Sequence, residues 1–133
     1  MKLITRDTDY AVRALCVIAQ HKNELISAAD LVKSLRIPQP FLRKILQVLN
    51  KKKILRSYKG KGGGFTLARK PQRIFLLDLI KIFQGKLKIN ECLFKKSICP
   101  NVRTCKLKKR IDKIERDVVS EFSSITLANL IEA

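Results

Sequence analysis

Apolar residues recur along this chain at helical spacing in several separate stretches, and their gaps mark the joints. From Thr8 to His21, the residues Tyr10, Ala11, Ala14, Leu15, Val17, Ile18 and Ala19 share one face, so the pattern predicts a first helix with Asp7 or Thr8 as its N-cap. Ser27 stands three residues before Asp30, a capping-box arrangement that opens a short second helix with Ala28, Leu31, Val32 and Leu35 inward. That helix stops by Ile37, because Pro38 disfavours the α conformation in the residue before it. Pro38 and Pro40 suit the first turn of a third helix, where their missing N–H groups cost nothing. Phe41, Leu42, Ile45, Leu46 and Leu49 form its expected buried stripe, while Arg43, Lys44, Gln47, Asn50 and Lys51 fall on the other side.

The period then changes. Ile54 to Tyr58 reads as a strand, Gly60-Lys61-Gly62-Gly63-Gly64 as a turn and Phe65 to Ala68 as a returning strand. A fourth helix is expected from Leu76 to Gln84, closed by Gly85. Gly85 to Asn101 lacks periodicity, and loops of that length commonly carry function. Val102 to Phe122 is expected to form a long helix whose apolar residues Leu107, Ile111, Ile114, Val118, Phe122 and Ile125 step by 4, 3, 4, 4 and 3. So narrow a seam suits packing against another helix, and a symmetric dimer would cover it. Ser123 or Ser124 is the expected cap of a short last helix, Ile125 to Glu132.

These elements define a mostly α fold with a small β-hairpin wing, that is, a winged helix-turn-helix with a long C-terminal dimerisation helix. Three regions of one compact domain are expected: a DNA-binding region over 1–85, a cysteine-bearing loop over 86–101 and a dimerisation region over 102–133. Charge sharpens this picture. Lys and Arg number 29 against 11 Asp and Glu, a formal net charge of +18 on 133 residues, which points to a polyanionic partner. The basic residues are spread over several segments, which favours double-stranded DNA over a membrane surface. On this reading Gln39, Arg43 and Lys44 of the third helix face bases or phosphates in the major groove, and Lys59, Lys61, Gly62 and Gly63 bring the wing against the minor groove or backbone. A solvated polar helix face and a plain glycine turn are the bland alternatives, which the charge and the order of elements disfavour.

No apolar run reaches the ~18 residues of a membrane span, and no signal-like segment follows Met1, so a cytoplasmic protein is expected. No nucleophile–base pair, carboxylate pair or phosphate loop can be assembled, so neither an enzyme nor a small-molecule substrate is expected. Three of the four cysteines, Cys92, Cys99 and Cys105, are separated by six and five residues. Zinc knuckles favour Cys-x-x-Cys, which is lacking, whereas wider spacing suits a polynuclear iron–sulfur centre whose irons each take a thiolate. Lys95, Lys96, Arg103, Lys106, Lys108 and Lys109 would offset the charge of such a centre. A metal-free thiol or disulfide sensor and a structural zinc site remain alternatives. Cys16, among Leu15, Val17 and Ile18, is expected to be a small hydrophobe of the first helix, and His21 a favourable cation at its C-terminus.

Thr8-Asp9-Tyr10-Ala11-Val12-Arg13, the stretch Ile37 to Leu46, the wing Gly60 to Arg69 and the cysteine trio together resemble the Rrf-two family of winged-helix bacterial regulators, which includes IscR, NsrR and RirA. The resemblance spans nearly the whole chain. It implies a homodimeric regulator, usually a repressor, that binds a palindromic operator. It also implies a 2Fe–2S or 4Fe–4S cluster on Cys92, Cys99 and Cys105, whose state, responding to nitric oxide, redox or iron status, controls DNA affinity. The histidine that follows the third cysteine in IscR-type members is absent, with Lys106, Leu107 and Lys108 in its place. Asp9 resembles the carboxylate that completes the cluster from the other subunit in NsrR-type members, although a favourable charge at a helix N-terminus explains it equally well.

Overall fold

In the computed structural model, residues 3–22, 24–88 and 105–131 are described. The order is α1 (Arg6–Gln20), α2 (Ala28–Leu35), α3 (Gln39–Lys51), β1 (Leu55–Tyr58), β2 (Gly64–Leu67), a 3-10 turn at Pro71–Arg73, α4 (Leu76–Gln84), α5 (Lys106–Ser124) and α6 (Leu127–Ile131). The first helix begins earlier than the periodicity indicates. Thr5, not Asp7 or Thr8, is its N-cap, and Thr5 Oγ1 accepts the Thr8 N–H at 3.4 Å. Asp7 and Asp9 instead lie in the first turn, where the helix dipole favours negative charge. Thr8 is fully buried, so its side chain is committed to the interior and not to capping.

α1 is the central post. Its face Ala11, Ala14, Leu15, Ile18 and Ala19 packs into one core with Leu31 of α2, Leu42, Ile45, Leu46 and Leu49 of α3, Leu79 of α4 and Leu127 of α6. The capping box of α2 forms as expected: the Asp30 N–H donates to Ser27 Oγ at 3.1 Å and the Ser27 N–H donates to Asp30 Oδ2 at 3.4 Å. α2 ends on Arg36, which takes a left-handed conformation (φ 55°) so that its N–H can reach Val32 O at 2.8 Å.

Phe41 departs from the expected stripe of α3. It is 38 % exposed, and the Arg6 guanidinium sits 4.5 Å from its ring centroid. The core stripe of α3 therefore comprises Leu42, Ile45, Leu46 and Leu49, while Phe41 ties the exposed side of α3 to the start of α1.

β1 and β2 pair antiparallel with Leu55 opposite Leu67 and Tyr58 opposite Gly64. The hairpin is stitched to the α1–α2 connection, because Ile26 and Phe65 exchange backbone hydrogen bonds at 3.3 and 2.8 Å. A Cβ on Gly64 would meet Ile26 O at 2.6 Å, so only glycine allows that approach. At the far end, Leu76 N–H donates to Ile125 O at 3.0 Å and Leu127 N–H to Ile74 O at 2.8 Å, pinning the α5–α6 corner beside the start of α4.

The cap of the last helix also differs from expectation. Ser123 and Ser124 hydroxyls donate back to Ser120 O and Glu121 O, whereas Thr126 Oγ1 accepts the Asn129 N–H at 3.3 Å and starts α6. Likewise α5 opens at Lys106 with Cys105 as its N-cap; residues 102–104, placed in the helix by periodicity, lie outside the described residues. None of the described helices is long and apolar enough to cross a membrane.

Candidate nucleic-acid interface and cysteine centre

The four buried apolar residues of α3 force its polar residues outward, and a groove of about 540 Å³ opens between that outer face and the hairpin. Arg43, Gln47 and Asn50, at helical spacing, form one wall; Ser57, Tyr58, Lys59, Gly60 and Gly63 form the other. Of the residues singled out from sequence, Arg43, Lys59 and Gly63 meet at this groove. Gln39 and Lys44 are exposed elsewhere on α3, and Lys61 and Gly62 are exposed at the hairpin tip. The tip turn closes with the Gly63 N–H donating to Gly60 O at 3.0 Å while Gly62 takes φ +79°. A Cβ on Gly63 would lie 2.1 Å from Tyr58 O, so the backbone there is bare by necessity.

Gln47, Asn50, Ser57 and Tyr58 line the groove without having been singled out from sequence as contacts. The α3 pair was legible in the polar stripe that includes Arg43. Ser57 and Tyr58 carried no such signal, since only strand pairing turns them toward α3.

Of the cysteine trio, Cys105 is described, and Cys92 and Cys99 lie outside the described residues. Among the described residues no three metal-ligating side chains gather. Cys105 is half-buried and caps α5, with its Sγ accepting the Lys108 N–H at 3.4 Å. A cysteine sulfur at the start of a 19-residue helix is a soft donor of the kind an iron–sulfur centre takes, so the donor chemistry of this position fits such a centre.

Asp9 is paired. Its Oδ2 lies 3.0 Å from Arg13 Nε one turn along α1, and 44 % of its side chain remains accessible. Cys16 is half-buried against the core, and desolvation pushes its thiol above the ordinary range, as expected for a packing residue. His21 closes α1, with Nδ1–H donating to Val17 O at 2.9 Å.

Among the described residues, the apolar seam of α5 is covered only in part. Leu107 is 70 % exposed and Ile114 52 %, while Ile111, Val118 and Phe122 are half-buried, and no residue of this helix is fully buried.

An anchoring helix, two helices in a turn and a hairpin wing define a winged helix-turn-helix protein. The chain belongs to the Rrf2 family: the family model described as an iron-dependent transcriptional regulator matches residues 4–133. A putative HTH-type transcriptional regulator of Aquifex aeolicus is 30 % identical over 92 % of this chain and 86 % of that protein. The HTH-type transcriptional regulator NsrR of Bacillus licheniformis is 29 % identical over 98 % of this chain and 92 % of its own. Among solved structures, IscR of T. potens superposes with a TM-score of 0.75 at 26 % identity, covering 98 % of this chain and 86 % of that one. The fold is shared with CymR, the global cysteine regulator of B. subtilis, at TM-score 0.80 and 21 % identity over 98 % and 97 % of the two chains. The protein is thus a transcriptional regulator of a DNA-binding family and not an enzyme.

Proposed function

We propose that this chain is a homodimeric repressor that binds a palindromic operator and whose affinity is set by an iron–sulfur cluster held by Cys92, Cys99 and Cys105, with Asp9 of the partner subunit as the fourth ligand. The observation that carries the reading is the position of Cys105. The sulfur is the cap of α5, the helix that leaves Leu107 and Ile114 exposed among the described residues, so a ligand held there acts on the element best suited to join two copies. When bound, the cluster supplies a redox- and nitric-oxide-sensitive centre.

The remaining roles belong to the chain. Arg43, Gln39 and Lys44 present donors to base edges or phosphates from α3, and Lys59, Lys61 and the bare backbone at Gly62 and Gly63 meet the adjacent backbone or minor groove. Two α5 helices packed along their seams fix the separation of the two recognition helices. Ligation at Cys105 fixes the first turn of α5, and Asp9 lies on α1, which packs directly on α3. A change at the cysteines therefore reaches the half-site spacing through two short mechanical links.

Anaerobic reconstitution with iron and sulfide tests this. A coloured, cluster-bearing dimer is expected, with operator affinity changing at least tenfold between loaded and stripped forms. Serine at all three cysteines should abolish both colour and the change. A colourless product, or identical operator affinity in the triple-serine variant, would remove the cluster from the mechanism.

A further inference from the structure

A second groove, of about 890 Å³, lies behind the hairpin, between the C-terminal end of α1, the 3-10 turn and α6. Its size is that of ligand sites, which span roughly 300–1,000 Å³. The hairpin is the wall it shares with the groove at α3. Arg56, Thr66 and Leu67 of the hairpin line the rear groove, and Ser57 and Phe65 line the front one. Tyr58 borders both.

The rear groove is divided chemically. Lys22, Arg56 and Arg69 bring three cations to it, none in an ion pair among the described residues, and no carboxylate is among its described lining residues. Arg69 is held by a long hydrogen bond from Nη2 to Lys52 O, 3.4 Å. Leu67, Ala128 and Ile131 supply an apolar side, and Gln72 and Tyr58 add uncharged polar groups. Three cations lining one concavity, with no carboxylate among its described lining residues, lower the cost of admitting an anion. A bare inorganic ion would leave the apolar side with nothing to touch.

We propose that this rear groove binds a small organic anion, with a phosphate or carboxylate head at Arg56 and Arg69 and an apolar body against Leu67, Ala128 and Ile131. Neither Cys16 nor Cys105 is among its lining residues. Because the ligand would rest on the wall whose other face borders α3, its occupancy is coupled to DNA binding, and the coupling must be reciprocal.

Phenyl phosphate and inorganic phosphate have similar charge and differ in the apolar body, so they serve as probes, titrated calorimetrically at fixed ionic strength and pH. Phenyl phosphate is expected to bind at least tenfold more tightly than phosphate. Arg56→Gln and the near-isosteric Gln72→Glu should each weaken it about tenfold, while Lys33→Gln, on the exposed side of α2, should leave it unchanged. Saturating random-sequence duplex should change phenyl phosphate affinity by a finite factor, equal to the factor by which phenyl phosphate changes duplex affinity. Equal binding of the two probes, or an equal loss in Lys33→Gln, would reduce the effect to the chain's general positive charge. Displacement that grows without limit as duplex is added would make the groove part of the DNA surface. Either result overturns the proposal.

Discussion

Gln84, in the last turn of α4, holds Thr8, in the first turn of α1: its Oε1 accepts the Thr8 hydroxyl at 2.8 Å and the Thr5 N–H at 3.0 Å, while its Nε2–H donates to Leu3 O at 3.0 Å. One amide thus satisfies three groups that lie 76 to 81 residues away in the chain. Net contributions of about 1 kcal/mol per hydrogen bond lead us to expect Gln84→Ala to cost roughly 2–3 kcal/mol. Urea unfolding should show a lower midpoint with an unchanged slope. A loss under 0.5 kcal/mol, on the order of an ordinary surface substitution, would mean that water replaces the amide.

The hairpin's attachment gives a second expectation. In Gly64→Ala the new Cβ would collide with backbone at Ile26, not with a flexible side chain. Relief requires parting the Ile26–Phe65 bridge, at a cost of about 1–3 kcal/mol. Stability and DNA affinity should fall together. The same substitution at Gly60, whose Cβ would meet nothing within 4 Å but whose φ is +96°, should show conformational strain alone and leave that bridge intact. Amide hydrogen exchange at Phe65 separates the two.

On α5, Ile114→Lys places a charge in the middle of the apolar seam, where Ile114 is exposed. A dimer resting on that seam should dissociate at micromolar concentration in sedimentation experiments, while circular dichroism stays close to wild type because Ile114 is already 52 % exposed in the single chain. An unchanged sedimentation coefficient would place the dimer contact elsewhere.

Asp9 and Arg13 make a surface i, i+4 pair, for which about 0.3–0.5 kcal/mol is typical, so breaking it should barely alter stability. Its consequence lies in ligation, since Arg13 competes for the carboxylate proposed to reach the partner's centre. Asp9→Ala should change the absorption spectrum of the reconstituted protein, while Arg13→Ala should preserve it and speed assembly. Spectra insensitive to Asp9→Ala would return that residue to a helix-dipole role.

Base reading and charge attraction separate by substitution. Arg43→Ala should relax preference at one operator position by ~1–3 kcal/mol, whereas Lys59→Ala should weaken operator and random DNA alike. With ~6 phosphates engaged, affinity should drop about a thousandfold between 50 and 200 mM salt. Equal losses of Arg43→Ala on both DNAs would deny it a base contact.

Local chemistry in the sequence was enough for the elements themselves. Helical periodicity, the Ser27–Asp30 box, Pro38, Pro40 and Gly85 act within a few residues, and the net charge, a sum over the chain, needs no fold to be read. What depended on distant partners could be decided only by the fold. Phe41 looks like a core residue by spacing, yet α3 docks so that it meets Arg6 instead. Thr5 caps α1 because the interior and Gln84 claim Thr8. Ser57 and Tyr58 become groove residues, and Arg56 and Arg69 come to line one concavity behind the wing, only once two strands pair and pack on Ile26. Local rules set which conformation each segment prefers, whereas burial and convergence are properties of surfaces brought together across the chain, and no window of sequence contains them.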